Sequence, residues 1–259
     1  MKSALIGYTG FVGSNLAKQY KFNDFYNSKN IEKIKGKKYD LVVSAGAKAD
    51  RDEANQNPKE DWKGIKRLIN ALSETKINKL FLVSTVDVYA NKVGVNEDTQ
   101  IKLKNLKQTY GHNRYKLELF VKRHFPKSTI IRFPNLIGDT LKKNFVYDLI
   151  HNSGLELRHK DSLLQYYNLK NIWKDIQIAI KNNLALINFA VEPISAHDIA
   201  FYTTGLDFQN ITKEPPQLFD FRTKYASLYG SYDEYLYHRK EILKDIKGLV
   251  KKEKGKSSR

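Results

Sequence analysis

Three glycines at three-residue spacing, Gly7, Gly10 and Gly13, constrain this chain more than any other feature. Before them, Ser3 to Ile6 reads as a short buried strand. After them, Phe11, Val12, Leu16 and Ala17 begin a helical pattern. A strand that turns through glycines into a helix leaves backbone N–H groups at the positive end of the helix dipole. With no side chains in the way, a pyrophosphate can approach that backbone, so Gly7, Thr9, Gly10, Phe11, Val12 and Gly13 are candidate cofactor-binding residues. Glycines also serve ordinary tight turns; the strand before and the helix after favour the dinucleotide reading here.

The same alternation continues. After a helix over about Val12 to Tyr20, a short strand is expected at Asp24 to Tyr26 and a helical turn at Ile31 and Ile34. Tyr39 to Ala45 is a continuous apolar run of the kind a buried parallel strand needs. Asn57-Pro58 opens a helix to about Ser73, with Trp62, Ile65, Leu68, Ile69 and Leu72 on one face. Lys79 to Ser84 and Ser128 to Phe133 are the next strands, with a helix at Tyr110 to Phe125 between them and a polar loop over Lys92 to Leu106. Further helices are expected at Leu141 to Ile150, Leu169 to Asn182, Ala196 to Thr204 and Asp233 to Lys252, with a late strand at Leu184 to Ala190. Strands alternating with helices give an α/β fold built on a doubly wound parallel sheet. The expected division is a nucleotide-binding core over 1–138, a mixed segment over 139–246 that completes the sheet and builds a small C-terminal substrate-binding lobe, and a basic, disordered tail over 247–259.

Composition sets outer limits. At 259 residues with 41% hydrophobic content there is enough apolar material for a packed core. No apolar run approaches the length of a membrane span, and the glycine turn interrupts any signal-peptide pattern at the N-terminus. Zero cysteines exclude a disulfide framework and thiolate chemistry, and a cytoplasmic location is expected. The formal charge of +17 comes mostly from lysines spread along the chain and concentrates only after Lys247. No basic-plus-aromatic motif accompanies it, so neither nucleic acid nor membrane insertion is expected. His112 and His197 lack partners at ligand spacing, and no metal site is expected.

In an open parallel sheet, ligands bind beyond the carboxyl ends of the strands. The residues there are Gly7 to Gly13, Asn27-Ser28-Lys29, Ala45-Gly46-Ala47, Ser84-Thr85 and Pro134-Asn135. All of these are candidate contacts for a dinucleotide and its substrate. Asp87 and Tyr89 follow on the next loop as candidate substrate-pocket residues. Lys142, Lys143 and Asn144, near an expected helix start, could favour a diphosphate.

Gly7-x-x-Gly10-x-x-Gly13, Ser84-Thr85-Val86-Asp87-Val88-Tyr89 and Tyr110-Gly111-His112-Asn113-Arg114 together resemble the extended short-chain dehydrogenase/reductases. Arg132-Phe133-Pro134-Asn135-Leu136-Ile137-Gly138, Gln165 to Leu169, and Asn188 with Glu192 to Ser195 are similar to later segments of that family, so the resemblance runs to about residue 205. It implies a Rossmann-type fold, an NAD(P) cofactor, and epimerase, dehydratase or reductase chemistry on nucleotide sugars. It also implies roles. Thr85 would hold the substrate oxygen and Tyr110 would be the general acid or base, with Pro134 and Asn135 beside the nicotinamide and substrate. Pairing of two copies through the Trp62 and Leu117 helices is a further implication.

The departure is at the third member of the catalytic set. The family's Tyr-x-x-x-Lys is Tyr110-x-x-x-Arg114 here. Residues i and i+4 share a helix face, so Arg114 can occupy the lysine's place, supply charge and reach ribose hydroxyls. It cannot release a proton, because its pKa exceeds about 12. The alternative is a cofactor-binding member that regulates or scaffolds without turnover. The cofactor form rests on the end of the second strand: Tyr26-Asn27-Ser28-Lys29 offers no acid for a ribose, whereas Ser28 and Lys29 can bond a 2′-phosphate. NADP is therefore favoured over NAD, with Asp24 the one acid close enough to reverse this.

Overall fold

A computed structural model describes the backbone over residues 1–257 and the side chains over 1–255. In chain order the first elements are β1 (Ser3–Ile6), α1 (Phe11–Ala17), β2 (Asp24–Tyr26), β3 (Lys38–Ser44), α2 (Arg51–Gln56) and α3 (Pro58–Ser73). Next come β4 (Lys76–Thr85), β5 (Val93–Val95), α4 (Thr109–His124), β6 (Ser128–Phe133), β7 (Asn135–Ile137) and α5 (Phe145–His151). The chain continues with β8 (Leu163–Leu164), β9 (Tyr166–Asn168), α6 (Ile172–Lys181) and β10 (Leu186–Asn188). It ends with β11 (Ile194–Ser195), α7 (Ala196–Thr204), β12 (Asp220–Phe221) and α8 (Arg239–Ser257).

These elements form two compact units. The first comprises Met1–Asn91, Asp98–Phe133 and Lys170–Asn188. Its six-stranded sheet has the order β10-β6-β4-β3-β1-β2, and every pairing is parallel. This is the expected α/β, Rossmann-type architecture. The strand order turns back at β1, which places the switch point between β1 and β3, beside Gly7. Strand alternation sends Ala4, Ile6, Val42, Leu80, Leu82 and Ile130 to one face, against Ile65, Leu68, Leu72, Leu117 and Val121 of α3 and α4. Leu5, Val43, Phe81 and Ile131 alternate with them and are equally buried, so the strands are covered on both faces. That is why they read as continuous apolar runs and not as alternating ones.

The second unit comprises Lys92–Glu97, Pro134–Leu169 and the chain from Phe189 onward. It has three two-stranded ladders: β7 with β9 and β5 with β12, both parallel, and β8 with β11, antiparallel. Buried Gln165 staples them, donating from Nε2 to the carbonyls of Val191 (2.6 Å) and Phe221 (2.8 Å) and accepting from the Phe221 amide (3.1 Å). The core and the lobe are thus interleaved along the chain: the first unit ends a segment at Phe133, five residues before the expected division, and takes Lys170–Asn188 later.

Local differences have physical causes. The last helix begins at Arg239 and not Asp233, because the Asp233 carboxylate accepts from Ser231 Oγ (3.0 Å) and the Tyr235 amide (2.9 Å) and so holds a turn. It then continues through Ser257, so residues 247–257 of the expected tail are helical. Ile242, Ile246 and Val250, at four-residue spacing, bury one face of this helix. The last two residues of the expected tail lie outside the described residues. Helix α5 starts at Phe145, two residues past the expected lysine pair, because Asn144 caps it by accepting from the Tyr147 amide (3.1 Å). Helix α2, absent from the sequence expectation, is capped by Asp50, which accepts from the Glu53 amide (3.2 Å). Among the described residues, no helix is long and apolar enough to cross a membrane.

Candidate active site

The glycine turn is built as the spacing requires. Gly7 has φ +85° and a Cβ there would collide with the Ala45 carbonyl; one on Gly13 would collide with the Gly7 carbonyl. The Gly7 amide donates to the Tyr26 carbonyl (2.7 Å) and the Gly10 amide to the Gly7 carbonyl (2.9 Å). Gly10 N-caps α1 and has no side chain to bond its leading N–H groups. Thr9 and Gly10 are exposed, Phe11 and Val12 half-buried. Ala45-Gly46-Ala47 continues β3 alongside, joined by the Ala45 amide to the Ile6 carbonyl (2.9 Å). Ser44, just before it, is fully buried, and its Oγ has no hydrogen-bond partner among the described residues.

At the end of β2, Asn27, Ser28 and Lys29 form a turn closed by side-chain amides. The Asn27 amide donates to Asn30 Oδ1 (2.7 Å) and the Lys29 amide to Asn27 Oδ1 (2.9 Å). Asp24 stands at the other end of this strand, and its carboxylate accepts from the Tyr39 hydroxyl (2.6 Å). It is thereby removed from the carboxyl edge. Arg67 of α3, which no sequence motif marks, joins this turn: its Nη1 donates to the Ser28 carbonyl (2.7 Å) and its Nε to Glu32 (2.7 Å).

The catalytic candidates lie on β4 and α4 of the same unit. Thr85 ends β4; its hydroxyl accepts from the Asp87 amide (3.1 Å) and donates to the Asp87 carboxylate (3.2 Å). Arg51, the first residue of α2, faces that carboxylate at 3.6 Å. Tyr110 is the second residue of α4, held by its amide donating to Asn55 Oδ1 (3.0 Å). The next residue, Gly111, brings helix and loop together: a Cβ there would collide with the Asp87 carbonyl. A glycine inside the first turn of a strong helix was the only sequence signal of that approach.

Arg114 does sit on the face of Tyr110, as the spacing implied. Its guanidinium lies 4.4 Å from the ring centroid. Nothing in the spacing points to its partners. Nη1 and Nη2 donate to the two carboxylate oxygens of Asp61 on α3 (2.9 Å each), and Nη2 also donates to the Lys48 carbonyl. Asn113 donates to the same carboxylate (2.9 Å). The Arg114 and Asp61 side chains are 4% and 5% exposed. Burial pushes the Tyr110 phenol above its ordinary value; Arg114 and Arg51 oppose that, while Asp87 and Asp61 reinforce it. The burial and the two carboxylates thus outweigh the two guanidinium groups.

Two other candidates turn inward. Ser84 donates through Oγ to Glu118 (2.6 Å), and the Tyr89 hydroxyl accepts from Arg132 Nη1 (2.8 Å) and Asn188 Nδ2 (3.0 Å). Arg132 and Glu118 complete this network with Nε–Oε1 at 3.0 Å and Nη2–Oε2 at 2.6 Å, both side chains fully buried. The remaining candidates belong to the second unit. Pro134 is buried and Asn135 opens β7. Asn144 donates to the Leu136 carbonyl (2.9 Å) as well as capping α5, whereas Lys142 and Lys143 are exposed and precede that helix.

The model of the NAD dependent epimerase/dehydratase family matches residues 22–171, beginning after the glycine turn. No curated protein matches the sequence. Among solved structures, a dTDP-4-dehydrorhamnose reductase from Clostridium acetobutylicum is similar with TM-score 0.73 and 20% identity, over 97% of this chain and 100% of that one. A UDP-N-acetylglucosamine 4-epimerase from Methanobrevibacter ruminantium, in complex with UDP-N-acetylmuramic acid, gives 0.75 and 14%, over 100% and 99%. A dTDP-4-dehydrorhamnose reductase from Bacillus anthracis, in complex with NADP, gives 0.71 and 17%, over 95% and 98%.

Proposed function

Because the chain belongs to the NAD dependent epimerase/dehydratase family, we propose that it is a nicotinamide-dependent oxidoreductase or epimerase acting on a nucleotide-activated sugar. The observation that carries this is the meeting of Tyr110 and the Thr85–Asp87 loop, enforced by Gly111, at the same sheet edge as the glycine turn. The turn fits a dinucleotide: Gly7 and Gly13 close it where a Cβ would strike the Ala45 and Gly7 carbonyls, and the leading amides of α1 have no capping side chain. Gly7, Thr9, Gly10, Phe11, Val12 and Gly13 would hold the pyrophosphate, and Ala45-Gly46-Ala47 would flank it. A nicotinamide cofactor supplies hydride acceptance and donation.

In this reading Tyr110 gives or takes the proton at the substrate oxygen. Its hydroxyl makes no hydrogen bond among the described residues, so it is not committed elsewhere. Thr85 orients that oxygen by turning its O–H from the Asp87 carboxylate to the substrate, while the Asp87 amide continues to hold the hydroxyl oxygen. Arg114 stands where the family has lysine and keeps positive charge on the ring face. A phenol raised by burial keeps its proton until a substrate oxygen more basic than the phenolate develops beside it, and then transfers it to that oxygen. Adding nucleotide sugars and 4-keto nucleotide sugars to the pure protein with NAD(P)(H), and following absorbance at the reduced nicotinamide band, tests the activity. A Tyr110→Phe variant as active as the unmodified chain would refute the assigned role.

NADP is the favoured form, because Ser28, Lys29 and the guanidinium of Arg67 gather at the end of β2 while Asp24 is tied to Tyr39. Substrate contacts from Asn135, Lys142 and Lys143, a homodimer formed through α3 and α4, and a cytoplasmic location go with the same reading. Light scattering decides the dimer. A second reading has its own support: the hydrogen bonds of Arg114 to Asp61 and Lys48 fit a cofactor-binding member without turnover. Tight NADP binding by calorimetry with no turnover across the substrate panel would favour it.

A further inference from the structure

Arg114 is not a bare cation substituted for lysine. A planar guanidinium presents a fork of N–H donors, and here the fork meets both oxygens of one carboxylate. The Lys48 carbonyl adds a third acceptor, and Asn113 bonds the same carboxylate and fixes its orientation. A lysine ammonium, with its donors on a single atom, could not span that socket. The charged groups facing Tyr110 come from four elements: Arg114 on α4, Asp61 on α3, Arg51 on α2 and Asp87 on the loop after β4. They form two ion pairs, Arg114–Asp61 at 2.9 Å and Arg51–Asp87 at 3.6 Å. Two cations and two anions therefore surround one phenol.

We propose that Asp61 is a positioning residue of the catalytic set: it clamps the Arg114 guanidinium over the Tyr110 ring and offsets part of its charge, leaving the tyrosine in a cage of two cations and two anions. This rests on the acid–base role proposed for Tyr110 and deepens it. Where a lone cation would draw the proton from the phenol, the cage leaves it in place, and burial reinforces that. The resting protein then holds Tyr110 as an acid, equipped to give a proton to a substrate oxygen. Asp61, on a different helix and far from any motif of the catalytic set, is the residue that makes the arginine compatible with that state.

The test is the titration of Tyr110 in the full chain without ligands, read by NMR on protein labelled at the tyrosine ring carbon that bears the hydroxyl. Tyr110→Phe assigns the signal. In Asp61→Asn, the asparagine oxygen and the Lys48 carbonyl still hold Arg114, but its charge is unmasked. The Tyr110 titration should fall by about one pH unit relative to the unmodified chain. A titration that stays in place or rises in Asp61→Asn would overturn the proposal. Should that variant fail to fold, the doubly neutral Asp61→Asn/Arg114→Gln chain decides, because removing both members of a buried pair leaves no unpaired charge. With Asp61 offsetting part of the Arg114 charge, its titration should rise by less than about one unit over the unmodified chain. A rise of more than a full unit would mean that Arg114 acts as an uncancelled cation, and the proposal fails. These readings need no turnover, so they stand apart from the activity of Tyr110→Phe, which bears on the acid–base role alone.

Discussion

Replacing Glu118 by glutamine converts the most enclosed ion pair of the first unit into a buried, unpaired guanidinium. Glu118 accepts three hydrogen bonds, from Arg132 Nε (3.0 Å), Arg132 Nη2 (2.6 Å) and Ser84 Oγ (2.6 Å), and neither partner of the pair is exposed by more than 2%. Burial alone would pull Arg132 down, but Glu118 and Tyr89 outweigh it and hold the guanidinium above its usual range. Glutamine keeps the shape and one acceptor, yet turns an NH2 group toward an arginine donor. Breaking a buried pair from one side costs about 3–5 kcal/mol. At roughly 2–4 °C per kcal/mol for a chain near this size, the melting point should drop by roughly 6–20 °C. The chain's two tryptophans, Trp62 and Trp173, both lie in the first unit, so urea unfolding followed by their fluorescence reports on that unit. The Glu118→Leu/Arg132→Met double variant, which removes the charges together, should remain within about 2 kcal/mol of the unmodified chain. A Glu118→Gln loss below about 1 kcal/mol would refute the reasoning, because the pair would then be carrying no electrostatic weight.

Three further outcomes follow from the same structure. Tyr39, Tyr110, Tyr115, Tyr166 and Tyr235 are all raised, each chiefly by burial. The folded chain therefore binds more protons than the unfolded one above the free tyrosine value, so stability is full below about pH 10 and falls as pH rises beyond it. The urea midpoint should therefore be lower at about pH 11 than at about pH 9, and a midpoint that stays level or rises would contradict this. Gly111→Ala should cost about 1–3 kcal/mol despite alanine's helix propensity, since its Cβ meets the Asp87 carbonyl, and a stabilised variant would refute the contact. Arg67→Ala should weaken NADPH binding by roughly tenfold while sparing NADH, and equal losses on both would remove Arg67 from cofactor choice.

The fold was legible because its strands are buried on both faces. Continuous apolar runs such as Leu41 to Val43 and Leu80 to Val83, in a chain punctuated by Gly7 and Pro134, can hardly be anything but parallel strands. The places of Thr85, Tyr110 and Arg114 were legible as a strand end, a helix start and a position four residues on, whereas their roles come from the resemblance. Asp61 and Arg51 were not. Each lies on a different helix, dozens of residues from the group it serves, on helix faces that read as ordinary solvated surface. Glu118 and Arg132 were hidden by the same logic, since a charge inside a helix or strand betrays its burial only when its partner is seen. The inward turns of Ser84 and Tyr89 follow from that pair, which gives their hydroxyls somewhere to go.

The interleaving of the two units bears on how the chain survives its own synthesis. Strand β6 is six consecutive buried residues, Ser128–Phe133, and its outer neighbour β10 emerges only after Pro134–Leu169 and α6 have been made. Until then, its outward row of amides and carbonyls has no β10 to pair with, and this is the kind of exposed apolar edge on which chains add to one another. A nascent chain halted before Leu186 should be held back by a chaperone or lost to aggregates, whereas one released after Asn188 can close the sheet. Truncation or a stall within that interval is thus a hazard to solubility, even though every residue proposed for phosphate binding and proton transfer has already been synthesised.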